Sequence, residues 1–109
     1  MAVRSRVLGF NNALAVATTT LFTVASDRTA VVRTIDAQNS NATLASQMIF
    51  RINRAGATIA IWAPVIPAAT VQTQEIWRVL NPGDLLEVQP SQTGGRVAVY
   101  GALLLGAPS

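Results

Sequence analysis

Hydrophobic and polar positions alternate most cleanly between Gln47 and Asn53. Met48, Phe50 and Ile52 share one parity; Gln47, Arg51 and Asn53 share the other, with Ile49 as the exception. Successive strand side chains point to opposite faces, so this pattern predicts a strand with one buried face. Arg54-Ala55-Gly56 reads as a turn and residues 58–63 as the returning strand, which makes residues 47–63 a hairpin. Pro64 and Pro67 then interrupt the ladder, because proline has no N–H to donate. Upstream, residues 18–24 and 29–37 are dense in Thr, Val, Ile and Phe, which suit a pleated surface. Downstream, residues 70–80, 85–89 and 96–105 read as three more strands. In the first of these Trp77 and Val79 share one parity, Ile76 and Leu80 the other. Between the first two lies Asn81-Pro82-Gly83-Asp84. Proline presets φ at the second position of a turn and glycine accepts positive φ at the third, as a type II turn requires. Gly101, inside the last apolar strand, marks a bulge or a close backbone approach.

Residues 1–14 show no clear period and read as an N-terminal arm, with Gly9 and Asn11-Asn12 as turn residues. Seven strands spaced by turns, with no strongly helical segment, predict an all-β chain. The expected architecture is an arm over residues 1–14 followed by one antiparallel β-sandwich domain over residues 15–109, jelly-roll-like in type. A chain of 109 residues has room for one modest core.

Composition narrows the chemistry. Cysteine, histidine and lysine are all absent. That removes the thiol nucleophile, the imidazole base and the usual soft-metal ligands. A Ser-His-Asp device is impossible within this chain, as is the histidine-held metal of a cupin enzyme. No Gly-rich phosphate loop is present. The reading is therefore of no catalytic residues, no metal and no cofactor. Half of the chain is hydrophobic and only 12% is charged, against about 25% in average chains. Exposed apolar surface on a small protein marks an interface, so self-association is expected.

All eight cations are arginines, and the net charge is +3. They are scattered rather than gathered into a basic stripe with interleaved aromatics, which argues against nucleic acid as a partner. No run approaches the ~18 uninterrupted apolar residues of a membrane helix, so no membrane partner is expected. Met1 to Arg6 looks like the basic start of a signal peptide, with a cleavage pattern at Ala15-Val16-Ala17, but Gly9, Asn11 and Asn12 interrupt the apolar stretch. The retained arm is the preferred reading over a secreted domain beginning near Thr18.

Thr19-Thr20-Leu21-Phe22-Thr23-Val24, then Arg28 to Ile35 and Asn39, resembles the opening of small β-sandwich virion proteins of tailed bacteriophages. Val79-Leu80-Asn81-Pro82-Gly83-Asp84-Leu85-Leu86 resembles a later hairpin of that family, and the closing strand with Tyr100-Gly101 its last strand. The likeness covers most of residues 18–105. Ala25-Ser26-Asp27 stands where the family usually carries Pro-Ala-Gly. The resemblance implies a non-enzymatic virion component: a head decoration (cement) protein first, a neck, tail or fibre component second. It also implies partners. These are further copies of the chain, as a trimer or larger ring, and other virion proteins such as the major capsid protein, with no small-molecule substrate.

Seven residues are the interface candidates. Arg4 and Arg6 alternate with Val3, Ser5 and Val7 in the arm, and Phe10 follows; such a segment can add a strand to a neighbour or simply begin the domain's own sheet. Arg33 shares parity with Val31 and Ile35, so on a buried face it needs a carboxylate, with Asp36 and Glu75 in reach by sequence, or an interface. Trp62 is opposite in parity to Ile59 and Ile61, and tryptophan is enriched at interfaces. Trp77 is the second such ring. The alternative of a different class is a carbohydrate-binding module using Trp62 or Trp77, against which core or subunit packing weighs more. Glu75, Asp84 and Glu87 could be offered to calcium, but a capped turn and solvated strand positions explain them as well.

Overall fold

Alternation survives in the computed structural model, which describes residues 6–105. Met48, Phe50 and Ile52 are buried, while Ile49 takes the outer face with Arg51 and Asn53. Among the described residues there are nine strands: β1 (Arg6–Leu14), β2 (Thr19–Thr23), β3 (Arg28–Asn39), β4 (Ser46–Arg54), β5 (Ala57–Trp62), β6 (Val65–Ile66), β7 (Thr70–Leu80), β8 (Leu85–Pro90) and β9 (Gly95–Leu105). All seven expected strands are present. The two additions are β1 and the short β6.

The strands form two antiparallel sheets, ordered β1-β9-β3-β7 and β2-β8-β4-β5, with β6 on the edge of β4 beside β5. Setting β6 aside, this is a sandwich of two four-stranded layers in which non-sequential strands are neighbours, the jelly-roll arrangement. Pro64 separates β5 from β6 as expected, yet the chain stays on β4: Met48 N donates to the Pro64 carbonyl at 3.0 Å.

Of the two readings of residues 1–14, the described part takes the second. Arg6–Leu14 is the edge strand of the first sheet, paired with β9, and Leu14 is buried in the core. Its strand character was hidden because the register with β9 shifts between Val7 and Gly9 and again between Asn11 and Leu14. Each shift resets the period of two. Asn11 is not a chain reversal; its side-chain oxygen accepts from Ala13 N at 2.9 Å within the second irregularity.

The core lies between the layers. Val32, Ile35, Ala37, Val97 and Val99 from the first sheet meet Met48, Phe50, Ile52, Leu86 and Val88 from the second. Full burial of one such large side chain is worth about 1.5–3 kcal/mol. The Asn81–Asp84 turn closes as expected: Asp84 N donates to the Asn81 carbonyl at 3.0 Å, and Gly83 has φ 85°. Gly83 N also donates to the Val24 carbonyl at 2.9 Å, and Val24 N to that of Asp84 at 2.9 Å, which ties the turn to the end of β2. Gly101 answers to both of its expected roles. The β3–β9 register shifts opposite Tyr100 and Gly101, and a Cβ at Gly101 would collide with the Val31 carbonyl.

Candidate subunit interface

The outer face of the β1-β9-β3-β7 sheet gathers most of the exposed apolar side chains. Cross-strand pairing sets them in rows. Val7 lies beside Tyr100, then Thr34 and Glu75; Phe10 lies beside Ala98, then Asp36 and Thr73. Arg96, Gln38 and Val71 make the next row, and Ala102, Val31 and Val79 lie toward the other end. Phe10 is 65% exposed and Trp77 57%, values that leave most of each ring in water.

Arg33 and Trp77 meet on this face because of a double irregularity. The register between β3 and β7 jumps from Val32–Arg78 to Thr34–Glu75, so Arg33 faces the two residues Ile76 and Trp77. Ile76 turns inward against the core, and Trp77 takes φ 53°, a backbone region rarely adopted by bulky residues. The Arg33 guanidinium then sits over the indole ring, 4.7 Å from its centroid. Val31, Arg33, Trp77, Ala102 and Leu104 line a shallow cleft of about 320 Å³. A second cleft, about 350 Å³, lies among Phe10, Asn12, Asp36, Gln38, Val71 and Arg96.

The second sheet presents a different outer face. Arg51 donates to the Gln89 side chain and Asn53 to Glu87 at 3.4 Å. At its end, Arg54 grips the buried Asp84 carboxylate with three contacts of 2.8–3.2 Å, while Asn81 N donates to the same group at 2.8 Å. Burial alone would raise the Asp84 pKa. The hydrogen bonds from Arg54 and Asn81 and the Arg54 charge outweigh it, so the pKa lies below its ordinary value. The bond and charge of Asp84 raise that of Arg54 in turn.

The structure brings Val7, Phe10, Arg33 and Trp77 together on one sheet face and separates them from Trp62. Arg4 and the Arg6 side chain lie outside the described residues. Trp62 is half-buried and stacked on Phe50, with centroids 5.2 Å apart and 21° between planes, so it packs on the core rather than standing free. Its parity was misleading because the β4–β5 register shifts between Phe50 and Arg51. The two tryptophans sit on different sheets and form no common platform. Arg33 turns outward with Val31, whereas Ile35 is fully buried; the irregularity at Arg33 reverses the parity that linked them. Its aromatic partner was not anticipated. Val71, Val79 and Leu104 were also missed, although the shared parity of Trp77 and Val79 pointed to one face. Glu75 lies on the first sheet, Asp84 in the turn and Glu87 on the second sheet, so they do not converge.

No family model matches the chain, and no curated protein matches it. Among solved structures it is similar to a chain of the infectious bursal disease virus Gx strain, with a TM-score of 0.54 and 14% identity over 96% of this chain and 32% of the viral one. It is also similar to a chain of the T13 IBDV viral particle, with a TM-score of 0.57 and 14% identity over 97% of this chain and 36% of that one. The chain thus spans about a third of the length of the viral chains it matches. At this identity the likeness is one of fold: the jelly roll described above is also found within proteins of an icosahedral virus.

Proposed function

We propose that the chain is a non-enzymatic structural component of a virus particle that packs against neighbouring subunits. The observation that carries this reading is a jelly roll with one outer sheet face lined by exposed Val7, Phe10, Val71, Trp77, Val79 and Leu104. Such a face loses free energy in water and gains it against another surface. The fold likeness to viral-particle chains supports the setting. The absence of Cys and His supports a binding rather than a catalytic role.

The finer reading is a head decoration protein of a tailed bacteriophage, acting as a trimer or larger ring on the major capsid protein. The sequence resemblance over residues 18–105 supports it, and a neck, tail or fibre position stands behind it. Many copies on a lattice convert weak single contacts into avidity. Light scattering behind size exclusion, at several concentrations, tests the coarser reading. A defined multimer is expected, and a monomer at every concentration counts against it. Co-sedimentation with phage heads stripped of accessory proteins tests the finer one.

A further inference from the structure

We propose that the outer face of the β1-β9-β3-β7 sheet packs against the same face of a second copy of this chain. The proposal rests on the reading that the chain assembles with itself, and it names the surface of one two-fold contact, which closes at two chains, so that a trimer or larger ring needs a second contact elsewhere.

The distribution of apolar side chains selects this face. Among the described residues, ten large hydrophobics are exposed, and six of them (Val7, Phe10, Val71, Trp77, Val79 and Leu104) lie on it. Val16 and Leu44 belong to loops, and Ile59 and Val65 to β5 and β6. The opposite outer face is occupied by Arg51, Asn53, Glu87 and Gln89, which bond to one another in pairs. Water suits the second face, and a partner suits the first. Trp77 strengthens the contrast. A residue of its bulk is held outward in a left-handed backbone, and buried tryptophan is characteristic of interface centres.

Charge points to the occupant. The chain carries +3 overall, yet among the described residues this face carries Arg33 and Arg96 against Asp36 and Glu75, two charges of each sign. A polyanion such as nucleic acid finds no net field here. An identical face meets it without net repulsion, because each copy brings both signs. Size agrees as well. The molecule measures 47 × 31 × 18 Å, and two stacked sheets account for the thin dimension. The broad side is therefore a sheet face, with ample room for the ~800 Å² per partner of a standard interface. Sheets packed face to face interdigitate side chains at about 10 Å, and the rows of this face have the alternation to do so.

The experiment uses the full-length chain. Wild type, Val79→Asp, Phe10→Asp and Gln89→Asp are compared by light scattering across a concentration series, with circular dichroism to confirm folding. Because the chain has no cysteine, Val71→Cys and Gln89→Cys also give single attachment points for a bismaleimide cross-linker. The expected result is a multimer weakened at least tenfold by Val79→Asp and Phe10→Asp, unchanged by Gln89→Asp, and cross-linked through residue 71 but not 89. A multimer unaffected by both face variants, or cross-linked through residue 89 alone, overturns the face assignment while leaving self-assembly standing. A wild-type monomer throughout overturns self-assembly itself.

Discussion

The Arg33 guanidinium lies over the Trp77 ring at 4.7 Å from its centroid, on the solvent side of the first sheet. A cation over an exposed indole contributes about 0.5–1 kcal/mol. Trp77→Ala removes that contact but opens no core cavity, since the side chain is mostly in water. The expected outcome is a folded protein whose urea midpoint corresponds to a loss of about 1 kcal/mol or less, with weakened assembly. Arg33→Ala should change the Trp77 fluorescence without unfolding.

Asp84 should be far less tolerant. Asp84→Ala leaves Asn81 N without its acceptor and Arg54 without its partner, in a site where the Asp84 side chain is only 3% exposed. Loss of such a buried hydrogen-bonding group costs about 1–3 kcal/mol, measurable by chemical denaturation.

The same carboxylate sets a pH dependence. Its folded-state pKa is depressed below the ordinary 3.8, so its contribution is fully present above that value. It is lost as pH falls through the lower folded-state value. Melting temperatures of wild type and Asp84→Ala should therefore converge as the pH drops below about 4, in the carboxylate range.

Asn39 is fully buried and serves two segments at once. Its amide donates to the Leu44 carbonyl at 2.8 Å and that of Ile66 at 3.0 Å, and its oxygen accepts from Asn41 N at 3.0 Å. Asn39→Ala orphans these groups, with an expected cost of about 1–3 kcal/mol. Hydrogen exchange should rise at Asn41 first.

Removal of residues 1–14 should destabilise the fold rather than only its assembly. It deletes β1, uncovers the edge of β9 and takes Leu14 out of the core. Circular dichroism of the truncated chain, expected to melt well below the full one, checks this.

The sandwich was legible because β4, β8 and much of β3 keep an unbroken period, and because Pro82-Gly83 punctuates the chain where the turn physics demands it. What escaped the sequence has one physical origin. Register shifts at Leu8, Arg33, Ile61 and the Ile76–Trp77 pair each add a residue that no period records. Past each shift, parity points to the wrong face. Hence β1 read as an arm, Arg33 was grouped with buried Ile35, and Trp62 with outward positions. The strand order β1-β9-β3-β7, which decides that Phe10 and Val71 share a surface with Trp77, lies in topology and not in any local pattern.

The position of β9 has a consequence for synthesis. It lies between β1 and β3 and, among the described strands, is the one neighbour of β1 in the sheet. Strand β1 therefore waits, unpaired, until almost the whole described chain has left the ribosome, and closure joins segments far apart in sequence, which slows folding. A product lacking β9 can pair β3 with β7 but cannot bring β1, and with it Val7 and Phe10, into the sheet whose outer side is proposed to meet a neighbour. The last of the described strands to be made therefore completes the surface that the first begins.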